Sequence, residues 1–199
     1  CRFRIGGGVV VLITNAPRPA WSVRDQLDSL GVDRDGYDDI VTSGDVASAI
    51  LSERGVERIY HLGPQRDIPI YQTVKAELCD ADSAQIISCT GLFDDETEQP
   101  EDYDPLLRQF ADRGIEMICS NPDLLVKRGD TLVPCAGAVA ARYELLGGAA
   151  TVVGKPYPRI YDNAIAAISR IAGKAVERSA ILAVGDGAQT DIRGANDAS

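Results

Sequence analysis

The chain has 199 residues, of which 45% are hydrophobic and 25% charged, and its formal net charge is −10. That length can bury a substantial core in one large or two small domains. The acidic balance, with no basic stripe to offset it, argues against a nucleic-acid or anionic-membrane surface. No apolar run approaches a membrane-spanning length and none reads as a signal peptide. The opening Cys1-Arg2-Phe3-Arg4 has no initiator Met and leaves compartment open. Compartment is read instead from the five cysteines, Cys1, Cys79, Cys89, Cys119 and Cys135. An odd count, scattered spacing and no CxxC pair point to reduced thiols in the cytoplasm, not to a disulfide framework or a zinc site. The single histidine, His61, sits in an apolar run and reads as a structural or surface residue.

Short apolar runs alternate with longer amphipathic ones, the rhythm of an α/β protein with parallel strands. After Gly6, Gly7 and Gly8, residues 9–13 form an unbroken apolar run, expected as a strand buried on both faces. A helix is predicted over 20–30, with Val23, Leu27 and Leu30 on one face and Gly31 at its stop. Asp45 is expected to cap a second helix. Strands are predicted at 59–62, 85–90 and 115–120, with a helical stripe of Tyr103, Leu106, Leu107 and Phe110 before the last. Residues 127–130 resemble a hairpin turn. Further on come a helix at 138–146, a strand at 151–153, a helix at 158–172 and a buried strand at 180–184.

Three of these strands deliver polar residues at their carboxyl ends: Thr14-Asn15, Lys155 and Asp186. Ligands of open parallel α/β sheets bind just outside such ends. Asp186 is a hard oxygen ligand suited to magnesium, and Asp191, five residues on at a helix start, can support the same ion. Lys155 is a point charge able to balance carboxylates and phosphate. Thr14 and the amides after it can donate to phosphoryl oxygens. Each signal alone is common in turns and caps. Their order and strand-end placement together point to phosphoryl chemistry.

The stretches LITNAPRP, GKPYPRIY and GDGAQTDIRGAN resemble, in order, the second, third and fourth motifs of the haloacid dehalogenase superfamily. The GDxxxTD form at residues 185–191 is the most specific of them. Asn121-Pro122-Asp123 and Pro134-Cys135-Ala136-Gly137 resemble the class IIA group, which includes nitrophenyl-phosphatase-like, nucleotide and pyridoxal-phosphate phosphatases. The resemblance implies a doubly wound parallel sheet, with an α/β cap inserted between the second and third motifs. The core would comprise 1–45 and 131–199 and the cap 46–130. It also implies magnesium-dependent hydrolysis of a small phosphorylated metabolite through a phosphoaspartyl intermediate, with neither nucleic acid nor membrane as partner and with room for a homo-oligomer. Thr14, Asn15 and Lys155 would be catalytic, Asp186 and Asp191 would hold the metal, and Asn121 and Asp123 match the cap-side motif.

The family's first motif, a strand ending in Asp-x-Asp, precedes the Thr-Asn strand by a few dozen residues. Only eight residues precede Val9, none of them acidic. The expectation is therefore a fragment without its nucleophile, cut at both ends, inactive alone, whose missing strand would lie beside 9–13 and 180–184. A non-catalytic phosphate-binding relative is the alternative. A P-loop enzyme is disfavoured, because no GxxxxGK[ST] is present and the glycine triplet precedes its strand. The acidic stretch Asp94-Asp95-Glu96-Thr97-Glu98 reads as a solvated surface.

Overall fold

In the computed structural model, which describes residues 2–199, the strands sort into three sheets. Strands β1 (Val11–Thr14) and β2 (Asp39–Thr42) form a parallel ribbon, with Thr14 opposite Thr42. Five parallel strands make the main sheet: β3 (Arg58–Leu62), β4 (Glu77–Leu78), β5 (Ile86–Cys89), β6 (Glu116–Cys119) and β9 (Ala149–Val152). Their spatial order is β4-β3-β5-β6-β9. Strands β7 (Leu125–Arg128) and β8 (Thr131–Pro134) form an antiparallel hairpin that turns at Gly129, whose φ of 60° suits glycine.

Parallel neighbours need crossovers, and helices supply them. After the short α1 (Arg2–Ile5), α2 (Ala20–Ser29) carries β1 to β2 and α3 (Ser43–Arg54) carries β2 to β3. Helix α4 (Asp104–Asp112) leads into β6, and α5 (Ala136–Leu145) leads into β9. Helices α6 (Pro158–Ala172) and α7 (Arg193–Asp197) follow. The α/β class and the parallel, helix-covered sheet are as expected. Among the described residues no helix is long and apolar enough to cross a membrane.

The period-2 alternation of the strands divides the core between the two faces of the main sheet. Ile59, Ile86 and Ile118 point to one face, where they meet Val46 and Leu51 of α3 and Ile160 and Ala164 of α6. Ile87, Met117 and Cys119 point to the other, against Phe110 of α4 and Val139 and Tyr143 of α5. Each fully buried large side chain contributes about 1.5–3 kcal/mol of transfer free energy. Helix α5 and strand β9, both beyond residue 131, therefore belong to the main sheet. Helix α3 packs instead on α6, in the layer beneath that sheet.

Several local expectations are corrected. Residues 180–184 do not form a strand: a single 3₁₀ turn at Arg178–Ala180 leads into an unpaired stretch, with Leu182 86% and Val184 88% exposed. An apolar run becomes a strand only where another strand satisfies its backbone groups, and none of the described residues does so here. Strand β1 starts two residues later than expected and is half-buried, with β2 its only neighbour among the described residues. Thr42, not Asp45, caps α3: its hydroxyl accepts from the Asp45 amide at 2.9 Å. Asp45 instead accepts from the Ala20 amide at 3.0 Å, joining the starts of α2 and α3. Leu30 is 69% exposed and leaves the face shared by Val23 and Leu27.

Cys89 and Cys119 are fully buried on the α4–α5 side. Burial pushes the Cys89 thiol well up and the Cys119 thiol to about 12. Cys79, Cys89, Cys119 and Cys135 are all free thiols, and Cys1 lies outside the described residues. In the folded protein Cys79, which is partly exposed, is expected to react first of the four described thiols with a thiol reagent. Cys89 and Cys119 should react only on unfolding, as mass spectrometry of a labelling time course would show.

Candidate active site

Strand β1 ends at Thr14, and the next side chain, Asn15, is buried. Its carboxamide joins three chain segments. Asn15 Nδ2 donates to Asp123 Oδ1 at 3.1 Å and to the Lys155 carbonyl at 3.3 Å, while its Oδ1 accepts from the Lys155 amide at 2.7 Å. Asp123 is brought there by the turn after β6, in which Asn121 Oδ1 accepts from the Asp123 amide at 3.0 Å. Gly137, in the first turn of α5, makes room for that turn: a Cβ there would lie 2.4 Å from the Pro122 carbonyl oxygen. Within the Pro134–Gly137 motif, Gly137 thus serves close packing, while Pro134 and Cys135 face an adjacent cavity.

Gly154 follows β9 with a φ of +109°, and a Cβ on it would crowd Pro122, Asn15 and Ser43 at 2.7–2.8 Å. Only glycine fits that conformation and that gap. The Ser43 hydroxyl donates to the Val153 carbonyl at 3.0 Å, closing the junction from the start of α3. Lys155 leaves this junction with its Nζ 2.7 Å from Asp191 Oδ1, both side chains less than a fifth exposed. Asp191 Oδ2 accepts from the Gly187 amide at 3.1 Å. Burial opposes the charge on Asp191, but the Lys155 hydrogen bond and the Gly187 amide prevail and hold its carboxyl below the usual range. Tyr161 of α6 donates to the Thr190 carbonyl at 3.0 Å and steadies the loop from behind.

Asn15, Asp123, Lys155 and Asp191 therefore form one continuous hydrogen-bonded chain. Thr14 stands beside it, its hydroxyl accepting from the Ala16 amide at 3.1 Å. Asn121 joins through the turn it makes with Asp123. Asp186 lies on the Asp191 loop, exposed and without a partner among the described residues. The described residues contain no cluster of three or more His, Cys, Asp or Glu side chains able to hold a metal ion. What the loop offers is a pair of hard carboxylates, one unpartnered. Magnesium, which keeps several waters and uses one or two carboxylates, fits that donor set.

A cavity of about 350 Å³ opens beside the chain, between Ala16–Arg18 and the carboxyl ends of the main sheet at Thr90 and Asn121. The sequence reading missed its charged lining. Asp95, expected to be solvated, has a side chain only 15% exposed and bonds to Arg66 at 2.9 Å and to Arg128 at 2.7 Å. Those hydrogen bonds, the one from Arg128 foremost, hold its carboxyl below the usual range. Asp67 is 2% exposed, and burial raises its carboxyl to about 6 against the pull of Arg66 and Arg18. His61, behind the cavity, is lowered by burial to about 4, lies 3.0 Å from the Thr90 hydroxyl and packs edge-on to Tyr71. This agrees with its structural assignment.

A family model for haloacid dehalogenase-like hydrolases matches residues 62–199. The chain belongs to that family. A hydrolase of the haloacid dehalogenase-like family from Brucella suis 1330 is 45% identical, with a TM-score of 0.93 over 98% of this chain and 72% of the other. The fold is shared more distantly with a p-nitrophenyl phosphatase from Archaeoglobus fulgidus, at 21% identity and a TM-score of 0.75 over 98% of this chain and 72% of that one. It is also shared with a glycerol phosphate phosphatase from Mycobacterium tuberculosis in complex with calcium, at 22% identity and a TM-score of 0.68, covering 94% and 54% of the two chains. No curated protein matches the chain.

In this hydrolase the raised carboxyl of Asp67 has a definite sign in stability. Between its unfolded value near 3.8 and its folded value of about 6, the folded state binds the extra proton. The cost of ionising Asp67 is therefore absent below about pH 4 and complete above about pH 6. Asp67→Asn is expected to raise the unfolding free energy by on the order of 1–3 kcal/mol at pH 8 and to change it little at pH 4. Urea titrations at the two pH values measure both.

Proposed function

We propose that this hydrolase releases phosphate from small phosphomonoesters in a magnesium-dependent reaction through a phosphoaspartyl intermediate, in the cytoplasm. The observation that carries the reading is the Lys155–Asp191 pair, held against Asn15 where the ends of β1, β6 and β9 meet, with the unpartnered Asp186 carboxylate on the same loop. The distant likenesses to a p-nitrophenyl phosphatase and to a glycerol phosphate phosphatase in complex with calcium agree with phosphate esters and a hard divalent cation.

In this reading the Thr14 hydroxyl, whose oxygen accepts from the Ala16 amide, donates its proton to a phosphoryl oxygen. Lys155 balances the charge that builds on the phosphoryl group, and Asp191 holds its ammonium in place. Asp186, with Asp191 in support, would hold magnesium, which supplies electrostatic stabilisation of the transferring group. Asn15 fixes the spacing between the phosphoryl side and Lys155. Asn121 and Asp123 bring the substrate-facing edge of the main sheet to the same point, and that sheet with its helices acts as the cap. The aspartate nucleophile is the one the family resemblance places ahead of the Thr14 strand.

The protein in its natural length is expected to release nitrophenol from 4-nitrophenyl phosphate with magnesium and to stop when EDTA is added. Lys155→Met and Asp186→Asn should each lower kcat by about a hundredfold or more while the circular dichroism melt stays cooperative. No magnesium-dependent release, or full activity in Asp186→Asn, would sink the reading and favour a non-catalytic relative.

A further inference from the structure

The cavity beside the phosphoryl site carries more positive charge than a neutral leaving group needs. Arg18 reaches it from the loop that follows Asn15, and Arg66 and Arg128 reach it from the main-sheet side. Arg66 and Arg128 share one carboxylate, Asp95, so a single negative charge lies between two guanidinium groups. Arg18 donates to the neutral Gln26 and forms no ion pair among the described residues. Among the residues that line the cavity, three arginines face Asp67 and Asp95, a surplus of one positive charge even with both carboxylates ionised; Glu96, which approaches Arg128 at 3.9 Å, is largely exposed and lies outside the lining. On a chain of net charge −10 this is a local reversal of sign.

We propose that this cavity selects phosphomonoesters whose leaving part carries a second anionic group, a carboxylate or a second phosphate. The inference rests on the phosphatase reading above. Its geometry follows from chain order: Thr14 and Asn15 lead directly into Ala16, Pro17 and Arg18, so a phosphoryl group at the first pair leaves the rest of the molecule facing the cavity. A volume of about 350 Å³ lies within the range of small-ligand sites. Guanidinium forks match the planar or tetrahedral oxygens of an acid, and charge-assisted bonds of this kind are roughly twice as strong as neutral ones. A purely structural role, in which Asp95 only staples the β7–β8 hairpin to the loop bearing Arg66, accounts for two of the arginines. It does not account for Arg18 on the opposite wall, whose hydrogen bond goes to the neutral Gln26 and whose charge no carboxylate neutralises by direct pairing among the described residues.

Matched substrates separate these possibilities. Glycerol 3-phosphate and 3-phosphoglycerate differ by a carboxylate in place of a hydroxymethyl group, and fructose 6-phosphate and fructose 1,6-bisphosphate differ by a second phosphate. The wild-type protein is expected to favour the more acidic member of at least one pair by about tenfold or more in kcat/KM. The pair that responds identifies the anion. Arg18→Gln and Arg128→Gln should each collapse that ratio toward one, and Arg18→Lys should restore part of it. No preference in either wild-type pair overturns the inference while 4-nitrophenyl phosphate hydrolysis leaves the phosphatase reading standing. Absence of that hydrolysis overturns both. Equal loss on both members of a pair in the glutamine variants also overturns the inference, because it marks the arginines as structural. If the variants do not fold, the wild-type ratio decides alone.

Discussion

One buried carboxamide holds the site together. Asn15 spends its two donor hydrogens and its acceptor on Asp123 and on both backbone groups of Lys155. Those partners come from segments more than a hundred residues away in the chain. A buried amide left unsatisfied costs about 1–3 kcal/mol, so the three segments come together or the site loses that stabilisation. Gly154 and Ser43 belong to the same constraint. One gives up its side chain so that the Asn15 oxygen can come close, and the other donates a hydroxyl to the carbonyl just before it. The phosphoryl chemistry inferred for Lys155 and Asp191 depends on a junction that performs none of it.

The fold supports that junction by distributing its apolar side chains evenly. Both faces of the main sheet are covered, one by α3 and α6 and the other by α4 and α5. The strands can therefore be largely apolar between their ends; Arg58, Glu77 and Glu116 stand at the amino ends, and the site's polar residues, Asn121 and Lys155, lie just past the carboxyl ends. Polar convergence at those ends is thus a consequence of a sheet buried on both sides. Helix α6 contributes twice. Its N-terminus follows directly on Lys155, and one turn later Tyr161 donates to a carbonyl of the loop that carries Asp191.

Much of this was legible in the residues. Helix α6 is bounded by Pro158 at its start and Gly173 at its stop, two local signals that no tertiary contact overrides. The motif loops after β1 and β9 were equally plain, because they carry polar residues at strand ends, whereas the Asp186 loop follows an unpaired stretch and not the expected strand. Residues 180–184 read as a strand from their side chains, yet pairing is a property of neighbours and cannot be read from one segment. Strand β2 leaves no clear sequence signal, because four residues beginning with Asp39 give too short an alternation. Asp95 read as solvated because the acidic run around it is polar. What draws it inward is Arg66 and Arg128, each about thirty residues away. Charge pairing across such distances leaves no periodic trace.

Strand β9 has a mechanical consequence. It is hydrogen-bonded along its length to β6 in the main sheet, and only two residues separate its end from Lys155. The lysine therefore follows the same sheet that presents Asp123 and Asn121, while its counter-ion Asp191 sits on a loop braced by α6. A rotation that lifted the main sheet away from the β1–β2 ribbon would pull Asp123 off Asn15 and drag the Lys155 backbone with it. Admission of a ligand by such a hinge and assembly of the charged pair would then be opposite phases of one movement, so an open molecule would also be an idle one.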